Sequence, residues 1–276
     1  MSISVLVLTL NEEVNIRGCL ESVSWCDDVV VLDSFSDDST VDVARELGVR
    51  VVQRKFDNYA NQRNYGLNEV SYRHSWVLML DADERVPAEL RGEMLTAVSQ
   101  AEDSVAMFSV RRKDHLFGRW IRGASGYPTW FGRLARIGRV SVKRPINEEY
   151  HADGLVVHLT SHLHHYPFNK GFAAWFAKHD KYSTLEAALR ADKGAGRWLL
   201  RDLISRDAGA RRRGLKACAY NLPARPIIMF VALYFLRGGI LEGRAGLTFS
   251  LLRAWYEYMI DCKFRELKRR ERGLPV

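Results

Sequence analysis

The sequence predicts an α/β protein: a Rossmann-like, mostly parallel sheet with flanking helices, followed by a helical, basic and amphipathic C-terminal region. Three observations predict it. Short apolar runs alternate with helical patterns through roughly the first hundred residues, the order of βαβ units. The runs are almost continuously apolar, which suits strands covered on both faces. Finally, 276 residues with 47% hydrophobic and 27% charged side chains can bury one such core and still leave an appendage.

The first strand is expected over residues 3–8, and Asn11 is expected to cap the helix that follows. Glu12 and Glu13 suit that helix's first turn, with Ile16, Leu20 and Val23 as its inward stripe. A second strand is expected over 28–32. Next, Ser39-Thr40-Val41-Asp42 reads as a capping box, Val43, Ala44 and Leu47 supply an apolar face, and Gly48 stands at the helix exit. Strands over 49–52 and 76–80 follow, and Pro87 opens a helix in which Leu90, Met94 and Val98 recur every fourth position.

Residues 1–110 therefore read as one doubly wound sheet. From 111 to 167 the pattern loosens into Gly, Pro and aromatic residues among Arg and His, suited to loops and short strands that build a site. These two halves make a first domain, 1–167. Residues 168–276 form the helical region, which begins with Phe172, Trp175, Phe176, His179 and Tyr182 at helical spacing. There is no internal repeat.

A formal charge of +8 and a pI near 9.4 favour anionic partners: phosphates, acidic lipids or nucleic acid. Cys19, Cys26, Cys218 and Cys262 show neither a CxxC pair nor disulfide-framework spacing, so a reducing, cytoplasmic setting is expected. The first strand follows the N-terminus with no basic leader or cleavage site, which excludes secretion by that route as an expectation.

Ligands of parallel sheets gather at the carboxyl ends of the strands. There the chain places Thr9-Leu10-Asn11-Glu12, Asp33-Ser34-Phe35-Ser36-Asp37-Asp38 and Asp81-Ala82-Asp83-Glu84. Such an acidic rim would repel a nucleotide diphosphate unless a divalent cation lay between them. Asp-x-Asp supplies hard oxygen ligands for Mg²⁺ or Mn²⁺. Asp83 is the first choice of ligand, with Asp81 nearer the ribose or the metal's water shell. The metal would neutralise a leaving diphosphate.

Together, the motifs 7–12, 31–40, Gln62-Arg63-Asn64 and 80–84 resemble glycosyltransferase family 2, whose fold is GT-A. Within it, Gly118-Arg119-Trp120-Ile121, Gly126-Tyr127-Pro128, Arg133-Leu134, Ile146-Asn147-Glu148 and Leu163-His164-His165-Tyr166 are similar to the lipopolysaccharide core β-1,4-glucosyltransferases. The resemblance implies an inverting, metal-dependent transfer of glucose from UDP-glucose to an inner-core heptose or similar glycolipid. By it Thr9, Asn11 and Glu12 line the nucleoside pocket, Asp33 bonds the base or ribose, and Arg63 helps hold the donor. It also implies Glu148 as the general base, with Glu149 as substitute, and His164 as a third metal ligand or a phosphate contact. Where the family has a histidine before this glutamate, the chain has Asn147. Arg119, Arg122 and Arg133 are candidates for phosphate contacts.

The apolar run 227–236 has ten residues, whereas a spanning helix needs about twenty. Arg211, Arg212, Arg213 and Lys216 precede it, while Arg237, Arg244, Trp255, Tyr256 and Tyr258 follow. These features fit a helix lying on an anionic membrane surface, here the inner face of the cytoplasmic membrane. A stripe of Leu251, Trp255, Met259 and Cys262 continues the pattern, with the catalytic domain or a sister subunit of a homo-oligomer as its other candidate partner. The rival functions are a polyprenyl-phosphate or capsule transferase of the same fold, and a nonenzymatic nucleic-acid binder. The second is disfavoured, because no reader motif is present and the acidic rim would be unexplained.

Overall fold

In the computed structural model, which describes residues 3–143, 149–192 and 224–276, the first apolar run is β1 (Ser4–Thr9). It leads into α1 (Glu13–Ser22), β2 (Val29–Asp33), α2 (Thr40–Glu46) and β3 (Arg50–Gln53). Then come α3 (Tyr59–Asn68), β4 (Trp76–Asp81), β5 (Glu84–Arg85) and α4 (Ala88–Ser99). Two long strands follow, β6 (Val105–Leu116) and β11 (Leu155–His165), separated by β7 (Arg119–Ile121), β8 (Trp130–Arg136), β9 (Val140–Val142) and β10 (Tyr150–Ala152).

One sheet runs β3-β2-β1-β4-β8-β6-β11-β5, with β7 on β6, while β9 and β10 form a separate ribbon. β1 to β4 pair in parallel, as do β6 and β11, and the antiparallel β8 joins the two sets. The α/β, mostly parallel architecture expected from the sequence is thus present. Val5, Val7, Leu78 and Leu80 point to one side, into a cluster with Ile16, Leu90 and Met94; Leu6, Val30, Val77 and Met79 point to the other. This alternation explains the unbroken apolar runs, since each face of a central strand meets its own layer.

Local details depart from the sequence reading. Asn11 does not cap α1: its backbone is left-handed (φ 55), and its Oδ1 accepts from the Asp37 N–H at 3.0 Å. The capping box is also absent, because Ser39 makes no side-chain cap bond and Asp38 Oδ1 accepts from the Thr40 N–H at 3.0 Å instead. Gly48 ends α2 as expected, with φ 72. Helix α3 lacks an apolar stripe, so periodicity misses it. Asn58 caps it by accepting from the Asn61 N–H at 2.9 Å, and Gly66 lets it press on Leu6, where a β-carbon would collide.

The described chain divides into two compact units, one of residues 1–120 and 127–171, the other of 121–126 and 172–276. In the second unit lie α5 (Gly171–Asp192), α6 (Arg225–Val231), a π-helical turn (Ala232–Leu236), a 3₁₀ turn (Gly239–Glu242) and α7 (Gly243–Glu271). The expected helical spacing after Phe172 is realised in α5. The carboxylate of Glu242 accepts from the N–H groups of Arg122, Gly123 and Ala124 at 2.5, 2.6 and 3.2 Å. Arg190 pairs with Asp261 at 2.5 Å and Lys263 with Asp180 at 2.6 Å, tying α5 to α7. The stripe Leu251, Trp255 and Cys262 faces outward, while Leu252, Tyr256 and Ile260 are buried on the opposite side of α7.

Candidate active site

The carboxyl ends of β1 and β2 are stitched into one rim. Asp33 is fully buried and accepts from Thr9 Oγ1 (2.8 Å), the Ser36 N–H (2.9 Å), Ser36 Oγ and Gln53 Nε2 (3.2 Å). Ser36 Oγ accepts in turn from the Asn11 N–H at 2.8 Å, and Thr40 Oγ1 from the Glu12 N–H at 2.7 Å. A carboxylate holding four donors is a strong organiser of backbone. Asp33 thereby shapes the turn from beneath, and the turn carrying Ser36 stands above it.

Glu12 is paired with Asn15 Nδ2 at 2.8 Å and Lys170 Nζ at 3.0 Å. Burial pushes its carboxyl above the usual range, against the opposing pull of Asn15 and Lys170. Asp38 accepts from the N–H groups of Thr40 and Glu13, the latter at 3.1 Å. Although burial acts to raise its pKa, these bonds and that from the Thr40 hydroxyl hold the carboxyl below its ordinary value. Asp38 thus helps to start α2.

At the end of β4 the acidic motif meets two buried guanidiniums. Asp81 accepts from Arg63 Nη2 at 2.7 Å and Arg133 Nη2 at 2.9 Å, and Arg133 also reaches Glu84 Oε1 at 2.7 Å. Glu84 Oε2 accepts from the Asp81 N–H at 3.1 Å. Arg63, Arg133 and Glu84 are all buried, whereas the Asp81 side chain is 34% exposed. Both arginines thus brace Asp81 and hold its carboxylate in one orientation. Burial disfavours the Arg133 cation, yet Glu84 and Asp81 together outweigh that cost and hold it charged.

Two residues on, Asp83 faces His165 and not His164. His165 Nε2 lies 3.3 Å from Asp83 Oδ2, and its Nδ1 lies 2.6 Å from Asp114 Oδ1. His164 turns to the other face of β11, where its Nδ1 meets His115 Nε2 at 3.1 Å. The expectation for His164 is corrected by strand alternation: neighbouring side chains on one strand project oppositely. Burial and Arg112 work against protonating His165, but Asp83 and Asp114 prevail and raise its pKa to about 9. Asp114 is held low despite burial, by Arg112 and His165.

A divalent cation fits this arrangement. Among the described residues no group of three or more His, Cys, Asp or Glu side chains converges as a metal cage. Asp83 and His165 would offer the cation an oxygen and a nitrogen side by side once it displaces the Nε2 proton that Asp83 favours, with Asp114 orienting the imidazole from behind, as outer-shell carboxylates do for metal-binding histidines. The remaining positions would fall to phosphate oxygens and water, the usual habit of Mg²⁺.

Thr9, Asn11, Glu12, Asp33, Arg63, Asp81 and Asp83 all belong to the first unit, on the loops and strand ends described above. Glu148 lies outside the described residues, as do Arg211, Arg212, Arg213, Lys216 and Cys218. Glu149 is described and exposed, and its carbonyl accepts from the Lys143 N–H at 3.1 Å. Arg119 and Arg122 are exposed, and Arg133 enters the site. Sequence reasoning missed Glu84 as an organiser and Asp114 and His165 as a pair. The alternation of Arg112 and Asp114 along β6 was the available signal.

The signature of the family described as glycosyl transferase family 2 matches residues 4–153. A lipopolysaccharide core biosynthesis glycosyltransferase, LpsC of Rhizobium meliloti, is 27% identical over 270 residues, covering 92% of this chain and 91% of that protein. An uncharacterized glycosyltransferase of Rickettsia typhi is 24% identical over 284 residues, covering 99% and 89%. Among solved structures, glucosyl-3-phosphoglycerate synthase of Mycobacterium tuberculosis, in complex with Mn²⁺, UDP and glucosyl-3-phosphoglycerate, is similar at a TM-score of 0.35. It has 23% identity and covers 41% of this chain and 44% of that one. With more than half of its length matched by the family signature, over the strands and loops that build the acidic rim, this chain belongs to glycosyl transferase family 2 and is a glycosyltransferase.

Proposed function

We propose that the protein is an inverting, metal-dependent hexosyltransferase that moves glucose from UDP-glucose to a lipopolysaccharide inner-core heptose or similar glycolipid, at the inner face of the cytoplasmic membrane. The observation that carries the reading is the Asp83–His165–Asp114 series beside the Arg-braced Asp81. Its acceptor class is supported by the relative LpsC, which spans nearly the whole chain.

In this reading Mg²⁺ or Mn²⁺, when bound, neutralises the leaving diphosphate. Asp83 and His165 hold that ion, and Asp114 fixes the imidazole ring. Asp81, clamped by Arg63 and Arg133, faces the ribose or the ion's water shell. The loops organised by Asp33, with Thr9, Asn11 and Glu12, receive the nucleoside. Glu148 takes the proton of the acceptor hydroxyl as the nucleotide departs from the opposite face of the sugar.

The second unit supports the membrane part of the proposal. Leu236 and Leu241 are 80% and 85% exposed, and Phe235, Ile227 and Ile240 accompany them on the same apolar segment. Among the described residues no single helix is long and apolar enough to cross a bilayer, although 225–236 and 239–271, bent by 69°, pass that test as a pair. An exposed apolar turn beside Arg237 and Arg244 suits shallow insertion among acidic headgroups.

The reading is tested by assaying a panel of nucleotide-sugars for Mn²⁺-dependent hydrolysis, then transfer to purified lipopolysaccharide core and to polyprenyl phosphate. Turnover of UDP-glucose with transfer to core is the expected result. Transfer to polyprenyl phosphate alone would replace the acceptor, and absence of cation-dependent turnover with every donor would overturn the proposal. For the membrane part, Leu236→Asp with Leu241→Asp should release the protein from vesicles of acidic phospholipid; unchanged co-sedimentation would overturn it.

A further inference from the structure

The reverse face of the β6–β11 strand pair carries positive charge that the site described so far does not use. Along β6, Arg112 and Asp114 project toward Glu84 and His165, so Arg111 and Lys113 project the other way. Register places Arg111 opposite Trp130 of β8 and His162 of β11, and Lys113 opposite His164. These residues therefore share one face, and both strands end close by, at Leu116 and His165, so that the two faces meet at one rim.

What surrounds these cations is aromatic. The Arg111 guanidinium lies 5.8 Å from the Trp130 ring centre and 6.0 Å from that of Tyr127, and Lys113 Nζ lies 4.8 Å from that of Trp120. Tyr127 is anchored to the same face by its hydroxyl, 2.6 Å from His162 Nε2. Three arginines of this end of the sheet are matched by carboxylates, Arg63 by Asp81, Arg112 by Asp114, and Arg133 by Asp81 and Glu84. By contrast, neither Arg111 nor Lys113 forms an ion pair among the described residues, and Arg111 Nε is buried without a hydrogen-bond partner. His162 adds no charge, since burial, Lys113 and Arg111 hold it at about 4.

Partly buried cations without counter-charge are costly, and a built site for an anion removes that cost. The exposed ring of Trp130, with the half-buried rings of Trp120 and Tyr127 beside it, suits the apolar C–H faces of pyranose rings, as such rings suit other ligands that are apolar on one side and wet on the other. Resting on the transferase reading above, we propose that Arg111, Lys113, Trp120, Tyr127, Trp130 and His162 form an acceptor subsite for an anionic carbohydrate, a sugar bearing a phosphate or a carboxylate. The two cations take the charged substituent, and the rings take the sugar.

Binding can be tested without any transfer, which separates this proposal from the transferase reading. Tryptophan fluorescence of the full chain would be titrated with mannose 6-phosphate, glucuronate, neutral mannose and inorganic phosphate. At least one of the two charged sugars is expected to bind tenfold or more tightly than both mannose and inorganic phosphate, and which one does so identifies the charged group. Arg111→Gln with Lys113→Gln should abolish that preference, whereas Lys113→Arg should retain it, with thermal unfolding showing that each variant is folded. The proposal is overturned if both charged sugars bind no more tightly than mannose, if inorganic phosphate binds equally well, or if the preference survives in the double variant. Loss of nucleotide-sugar hydrolysis with this preference intact would count against the transferase reading alone.

Discussion

Replacing Glu84 by Gln tests whether the buried charge cluster under the acidic motif holds this end of the sheet together. The Glu84 side chain is inaccessible to solvent and that of Arg133 is 3% exposed, with 2.7 Å between them. Removing one partner of such a pair leaves a buried charge uncompensated and costs about 3–5 kcal/mol. Arg133 retains Asp81 at 2.9 Å, and a glutamine oxygen can still accept from the Asp81 N–H, so the lower end applies, about 3 kcal/mol. For a domain of this size, about 2–4 °C per kcal/mol converts that loss to a fall of about 6–12 °C in the unfolding midpoint. Circular dichroism melts of wild type, Glu84→Gln, Arg133→Gln and the double variant provide the assay, and the two single losses should be non-additive by about 1–3 kcal/mol. A single-variant loss under about 1 kcal/mol, or strict additivity, would refute the argument that the cluster acts as a unit.

Three further outcomes are expected. Glu93 accepts from the N–H groups of Thr160 and Ser161, both at 2.7 Å, and these bonds with their hydroxyls outweigh burial to lower its carboxyl to about 2. A depressed carboxyl contributes stability above its ordinary value of 4.5 and loses it as pH falls toward the folded value, so Glu93→Gln should cost about 1–2 kcal/mol at neutral pH, shrinking in acid; a gap that widens in acid would contradict this. Asp83→Asn should leave the fold intact by circular dichroism yet lower turnover by at least about a hundredfold, and near-normal turnover would remove Asp83 as a ligand. Glu148→Gln should retain donor binding and lose transfer; if Glu149→Gln alone behaves so, the base lies one residue later.

The central strands were legible because apolar continuity has a single physical meaning in a sheet covered on both faces. Residues 76–80 are the clearest example, and all of them are buried in β4. Helix α3 was illegible for the converse reason. Its inward face is Ala60, Gln62, Arg63, Gly66 and Leu67, in which polar side chains are buried against specific partners and a glycine provides close approach. The caps of α1 and α2 were misread because Asn11 and Ser39 have bonding partners across two loops, and short-range patterns do not register a bond spanning 26 residues.

From its own residue order the chain specified the alternation of strands and helices, the acidic rim at the strand ends, and the apolar segment 227–236, now seen to expose Leu236. These are properties of neighbours in sequence, where period and turn chemistry operate. Only the tertiary structure decided that Arg133 enters the site while Arg119 is exposed, that His165 and not His164 meets Asp83, and that Arg111 and Lys113 have no carboxylate partner among the described residues. Each of those choices depends on strand register and on which face of the sheet a residue occupies. A displacement of one residue reverses the face, and register is set by pairing between segments remote along the chain.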